Sequence, residues 1–364
     1  MPSPQSSPRL RSLDALRGFT VAGMILVNSP GSWSYVYAPF RHADFNGLTL
    51  ADLVFPFFLF IVGASAVLAL GKRLQAGDTR KSLVTKIAKR AILIFALGVF
   101  LNWLSSGFSE WRIAGVLQRI AICYWGVSWL FLYVRRRWQM AIGAIILTGY
   151  AVWCMVVPIP GHGVVFNPQV NWPAWVDSRL LPGKMYFGHW DPEGILGTFP
   201  ALVTALMGMW ATGLVCGALT IRQKIARLSL YGVALTIVGY LLSWWFPLNK
   251  NVWSSSFVLV TAGLASLLWS LAIFLIDHRQ RVRWAFVGLV FGANAITAYV
   301  LHFLLAYPLA RITVAGQSVQ TCFMAVEGEV LAPELASLLW AVLYTALCFI
   351  PVYLMYRKNV FVKI

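Results

Sequence analysis

The fold is decided at Arg41–Ser65, RHADFNGLTLADLVFPFFLFIVGAS. The stretch opens polar, with His42, Asp44 and Asn46, and then runs almost continuously apolar from Leu48 to Leu70. A run of that length crosses a bilayer as a helix. One carboxylate, Asp52, lies near its start. An ionisable group inside such a run is costly and faces a protein interior or a water-filled cavity. A histidine and an aspartate ten residues apart are thereby placed at one membrane face. The same pattern also fits a loop histidine beside a carboxylate that caps a helix N-terminus.

On either side of this run the chain is similarly built. Apolar runs near 13–30, 48–70, 88–104, 113–134, 138–157, 195–219, 228–247, 253–276, 284–308 and 333–356 predict about ten transmembrane helices. The fold class expected is an all-α, polytopic integral membrane protein, one domain over 1–364 without a visible repeat. Composition agrees: 59% of residues are hydrophobic and 11% charged, against about half and a quarter in soluble domains. The net charge of +17 does not argue for nucleic acid, because the basic residues fall in short connections where they set topology. The five cysteines show no CxxC spacing or disulfide framework, and four of them lie in apolar runs.

Alternate connections are rich in Lys and Arg: Arg9, Arg11 and Arg17; Lys72 to Arg90; Arg135 to Arg137; Arg222 to Arg227; Arg279 to Arg283; and Arg357 to Lys363. The others carry only Arg41, Arg112, Arg179, Lys184, Lys250 and Arg311. By the positive-inside rule both termini are cytosolic and His42 is outside. The first apolar run lacks a small-residue cleavage site and is expected to be retained as a helix.

The longest connection, about 158–194, is on the outer side and holds Trp172, Trp175, Tyr186, His189, Trp190, Asp191 and Glu193. Long loops of this kind are usually functional. Its rings could stack on a sugar while a carboxylate pairs an ammonium; an interfacial cap with Trp at headgroup level fits equally. Depth along the helices also places Asn28, Asp52, Gln118, Arg119, Asn294 and His302, with His42, in the outer half of the membrane, where one shared polar cavity would satisfy them all. Asn28 and Asn294 read as interhelical hydrogen-bonding residues too, Arg119 as an ion-pair partner of Asp52, and His302 as a core histidine.

The opening stretch, with RLRSLDALRGFTVAGMILVN before it, RIAGVLQRIA at Arg112–Ala121, HWDPEGILGTFPA at His189–Ala201 and GANAITAYVLH at Gly292–His302, resembles the heparan-α-glucosaminide N-acetyltransferase family, its bacterial NagX-type members above all. The resemblance covers nearly the whole chain, without the large N-terminal extension of the animal enzyme. It implies an acyltransferase of the inner membrane that uses acetyl-CoA as co-substrate. It assigns His42 to the active-site histidine, Asn28 to an active-site asparagine, and Asn294 and His302 to a cavity-lining motif.

The chemistry fits these assignments. Acetyl transfer from a thioester to an amine needs a base, and a neutral imidazole serves near neutral pH. A fixed donor such as the Asn28 amide would meet the developing oxyanion, and Asp52 would orient His42 or hold the substrate ammonium. Acetyl-histidine formation is a second route. The sugar side would comprise His189, Trp190, Asp191, Glu193, Asn294 and His302, and the acetyl-CoA side Arg17, Gln118 and Arg119, with no metal. The partners expected are an amino-sugar substrate, acetyl-CoA and the bilayer, with a homodimer compatible. Two other readings use the same features: a transporter of amino sugars or N-acetylglucosamine, and an O-acetyltransferase of a cell-envelope glycan.

Overall fold

The computed structural model describes residues 10–217, 219–314, 316–328 and 330–362; Arg9 and Lys363 of the basic clusters lie outside the described residues. The first half comprises α1 (Arg11–Val27), α2 (Leu50–Gln75), α3 (Arg80–Ser105), α4 (Val116–Tyr133), α5 (Arg136–Val156) and the short α6 (Trp172–Leu180). The second comprises α7 (Ile195–Val215), α8 (Ile221–Ser243), α9 (Ser255–Ala272), α10 (Phe286–Ala293), α11 (Ala295–Leu309), α12 (Val319–Gly328) and α13 (Pro333–Arg357). A π-helical turn, Ile273–His278, extends α9. Strands β1 (Thr313–Val314) and β2 (Gln317–Ser318) pair as a small antiparallel hairpin before α12.

The all-α membrane architecture is therefore present, but the count of about ten crossings is not reached. Among the described residues seven helices are long and apolar enough to span: α2, α4, α5, α7, α8, α9 with its π turn, and α13. An eighth arises if α10 and α11, bent by 76° at Asn294, count as one broken span. The first helix is 17 residues long, short of the ~20 a bilayer core asks for. The first turns of α3 carry Arg80, Lys81, Lys86, Lys89 and Arg90.

Packing is set by small residues. A Cβ on Gly63 would lie 1.8 Å from the Ala205 carbonyl oxygen, and one on Gly208 would lie 1.9 Å from that of Phe60. So α2 and α7 meet backbone to backbone, the close approach that small residues permit between membrane helices. Gly18 and Gly292 bring α1 and α10 together in the same way. The core formed around these pairs includes Leu59, Phe60, Val203, Leu206, Phe257 and Trp269, none of them exposed. By contrast α8 has only 17% of its span buried, and Leu230, Ile237, Val238 and Leu241 point outward.

At one end of the bundle the connections interlock. Thr49 and Asp52 form a reciprocal capping box at the start of α2. The connection before α2 docks on that between α8 and α9: Gly47 N–H donates to the Leu248 carbonyl at 2.8 Å, and Asn249 Nδ2 donates to Asn46 Oδ1 at 3.0 Å. The long 158–194 loop folds down through α6. There Asp177, fully buried, accepts from Ile195 N–H at 3.0 Å and Asp191 N–H at 3.3 Å.

Candidate active site

His42 and Asp52 meet. His42 Nδ1 is 2.8 Å from Asp52 Oδ1, and the Asp52 side chain is 1% exposed while that of His42 is 34% exposed. The other carboxylate oxygen, Oδ2, accepts from Ala43 N–H at 3.1 Å, Thr49 N–H at 3.2 Å and the Thr49 hydroxyl at 3.0 Å. Both readings of Asp52 therefore hold at once: it caps α2 with one oxygen and orients His42 with the other. An ionised carboxylate only accepts, so in the neutral ring the proton sits on Nδ1 and the lone pair on Nε2. A partner on one ring nitrogen fixes the tautomer in this way.

Lys250, from the α8–α9 connection, completes the cluster. Its Nζ lies 3.0 Å from His42 Nδ1, 3.2 Å from Nε2 and 3.6 Å from Asp52 Oδ1. In the ring plane, a nitrogen that near both ring nitrogens would collide with Cε1 between them. Lys250 therefore stands off the plane, and the Nε2 lone pair points elsewhere. Its side chain is 19% exposed; burial pushes its amine below the ordinary lysine value, and the Asp52 charge only partly restores it. Sequence reasoning left Lys250 among the stray basic residues of the outer side. The signal was its isolation, a lysine in an otherwise base-poor connection, FPLNKNVWSSS.

The carboxylates expected to bind the sugar ammonium are already engaged. Arg112 donates from Nε to Asp191 Oδ2 at 2.7 Å and from Nη2 to Asp191 Oδ1 at 2.8 Å and Glu193 Oε2 at 2.7 Å. Asp191 also accepts from the Tyr186 and Glu193 N–H groups, at 3.0 Å each. Burial disfavours its charge, but the Arg112 hydrogen bonds outweigh this and hold it below the usual carboxylate range. With its acceptor positions filled, Asp191 is a loop anchor. Glu193 is raised, because burial exceeds the pull of Arg112, and Arg119 and Lys250 are within its electrostatic reach.

Trp190 is also corrected: it is 1% exposed and packs on Phe187 at 5.1 Å, so it offers no open platform. His189 is exposed, with Nε2 3.2 Å from the Gln169 carbonyl oxygen. The most exposed aromatic ring of this loop is Tyr186, 65% exposed, with the Arg112 guanidinium 5.2 Å from its centroid.

Arg119 and Gln118 lie in the first turn of α4, buried. Arg119 does not pair with Asp52; Nη2 donates to the Gly194 carbonyl at 3.2 Å and the guanidinium lies 5.1 Å from the Trp253 ring. Its Nε and Nη1, and Gln118 Nε2, have no hydrogen-bond partner among the described residues. Buried donors of this kind call for a water or a ligand. They fit a polar path for an acyl group, such as that of acetyl-CoA.

The remaining residues expected at the site do not join this cluster. Asn294 is not mid-helix: it is the break between α10 and α11, and its amide donates to the Val360 carbonyl and accepts from Val362 N–H, at 3.0 Å each. Nearby, Arg17 donates to the Gly292 carbonyl at 3.0 Å, to Asp14 at 3.0 Å and to Ser65 at 3.3 Å. Ser65 is thirteen residues along α2 from Asp52, or about 20 Å, so Asn294 belongs to the opposite, basic end. Asn294 ties residues 360–362 to the break between α10 and α11, away from the His42 cluster. His302 is buried beside Tyr344, with Nδ1 3.4 Å from Ser29 Oγ. Asn28 is the exposed C-cap of α1. Among the described contacts, none joins Asn28 or His302 to His42. No group of three or more His, Cys, Asp or Glu among the described residues is placed to hold a metal ion.

Residues 9–108 match a domain of unknown function, DUF5009. The chain is similar to heparan-alpha-glucosaminide N-acetyltransferase of Homo sapiens, 30% identical over 98% of this chain and 60% of that protein. It is also similar to the Mus musculus protein of the same name, 27% identical over 99% of this chain and 61% of that one. The chain thus spans about three fifths of the length of these curated relatives. The resemblance to the heparan-α-glucosaminide N-acetyltransferase family, carried first by spaced motifs, holds along nearly the whole chain.

Proposed function

We propose that the chain is a membrane acetyltransferase that moves the acetyl group of acetyl-CoA to the amino group of glucosamine or a terminal glucosaminide. The observation that carries this is the His42–Asp52 pair, whose 2.8 Å contact leaves Nε2 as a base with a fixed tautomer. The names of the two relatives support the reaction class.

In this reading His42 Nε2 takes the proton as the acceptor nitrogen attacks the thioester carbon, then returns it to the sulfur as the carbon–sulfur bond breaks. The acceptor approaches from the His42 side, across the exposed Tyr186 ring. The nucleotide of acetyl-CoA stays at the basic, cytosolic end, where Arg11, Lys72 and Arg73 are exposed, because carrying phosphates into hydrocarbon is prohibitive. The acyl arm enters the bundle past Gln118 and Arg119, whose unmatched donors support that route. The membrane is the cytoplasmic (inner) membrane of a bacterium, with both termini cytosolic.

The test uses purified protein in sealed liposomes of known orientation, with free thiol and acetylated sugar measured. Transfer is expected with acetyl-CoA on the basic side and glucosamine on the His42 side. His42→Ala is expected to lose about 10²–10⁴-fold in rate while remaining monodisperse. Wild-type turnover in that variant would remove His42 from the mechanism.

A further inference from the structure

We propose that Lys250 is a catalytic residue of the transfer reaction: its ammonium, set against His42 and Asp52, donates to the acyl carbonyl oxygen as that oxygen becomes an oxyanion. The proposal rests on the acetyltransferase reading above and assigns a role within it.

Three features carry it. The first is position. Nζ is 3.2 Å from His42 Nε2 but off the ring plane, so it leaves the proton-accepting direction open. When an acceptor nitrogen sits at hydrogen-bond distance in that direction, the carbon it attacks and that carbon's oxygen lie beside it, on the Lys250 side or the opposite one. The exposed Asn28, the donor expected from sequence, has no described contact with His42, whereas Lys250 touches it. Fixed donors aimed at developing charge in a site with little water are usually the largest contribution to such catalysis.

The second feature is how firmly the lysine is presented. Asn249 is fully buried; it accepts from Val252 N–H at 3.0 Å through Oδ1 and donates to Asn46 through Nδ2. Its own N–H donates to Ser254 Oγ at 3.0 Å, and that hydroxyl also caps α9. Trp253 takes φ +58°, a conformation bulky residues rarely adopt. The turn drives Trp253 onto Arg119 and Phe55 while Lys250 reaches His42. Strained backbone held by its surroundings clusters at functional sites.

The third is that stability gives no reason for it. A largely buried lysine beside a carboxylate contributes little compared with an apolar side chain of similar size. Nor is Lys250 needed to satisfy Asp52, whose Oδ2 already accepts three hydrogen bonds and whose Oδ1 holds His42.

The experiment compares full-length wild type, Lys250→Met and Lys250→Arg in liposomes with acetyl-CoA and glucosamine, recording kcat, KM for each substrate and thermal unfolding. Lys250→Met is expected to lose about 10²–10³-fold in kcat with both KM values within about threefold, and Lys250→Arg to recover at least tenfold of that loss. A Lys250→Met enzyme with wild-type kcat, or with its defect confined to the KM for glucosamine, overturns the proposal. So does equal loss in both variants accompanied by a collapse in unfolding temperature, which would make the lysine structural. If wild type releases thiol from acetyl-CoA with another acceptor but not with glucosamine, the acceptor assignment falls and the same comparison decides Lys250 on that reaction. If wild type releases no thiol at all, the acetyltransferase reading and this role fall together.

Discussion

Arg112 grips Asp191 through two parallel hydrogen bonds of 2.7 and 2.8 Å, and with the same Nη2 reaches Glu193. This fork closes the long outer loop onto the start of α4. Removing one member of a buried pair strands the other charge and typically costs about 3–5 kcal/mol. Arg112→Met is therefore expected to lower the unfolding temperature in detergent markedly. Asp191→Asn, which keeps the shape but weakens the fork, should cost less. Neither should act through the KM for glucosamine alone; a pure KM effect would return Asp191 to the sugar site.

Asp52→Asn should separate the two jobs of this side chain. The carbonyl oxygen of the amide can still accept from Ala43 and Thr49, so the cap, worth about 1 kcal/mol, is largely kept. Its NH₂ then faces His42 and donates to Nδ1, which moves the ring proton to Nε2 and removes the base. A fall of about 10³–10⁴-fold in kcat is expected, the scale seen when a wrong tautomer is imposed on a catalytic histidine. An active Asp52→Asn enzyme would show that the tautomer does not matter.

Lys250 also makes stability depend on pH. Burial sets its folded value below the ordinary one, so above the folded value the unfolded chain binds more protons. Stability from this group is full above the unfolded value, about 10.4, and is lost as pH falls through the folded value. The unfolding temperature of wild type relative to Lys250→Met should rise between neutral pH and pH ~10. A flat difference would mean that Lys250 titrates alike in both states.

Cysteine labelling tests sidedness without fusions. Cys216, exposed at the end of α7, lies at the basic end, whereas Cys322 on α12 lies between α11 and α13 at the other. A membrane-impermeant maleimide applied to intact cells should mark Cys322 and reach Cys216 only after lysis. Buried Cys123, Cys154 and Cys348 serve as internal controls. The opposite pattern would invert the proposed topology.

Much of this was legible from local pattern. Apolar length located the helices, and ten residues of spacing were enough to bring His42 to Asp52 because the helix cap fixes where the carboxylate points. What was not legible depends on distant partners. The run at 284–308 reads as one continuous helix, and Pro308 lies too late to break it. The bend at Asn294 accompanies backbone groups 66 and 68 residues away. Lys250 meets His42 across 208 residues, through an interlock of two loops that composition does not reveal. Trp190 resembled a sugar platform because sequence shows an aromatic ring but not which face of its loop is covered.

The tie between Asn294 and Val360 also has a consequence for how the protein is made. Translation delivers α10 and α11 well before residues 360–362, so the kink between them is sealed only once those residues have emerged. A chain that terminates at Arg357 would retain every helix and still lack that seal. The shape of the bent segment is therefore coupled to residues far along the chain, and a change near 360–362 has to leave the Val360 carbonyl and the Val362 N–H able to reach Asn294.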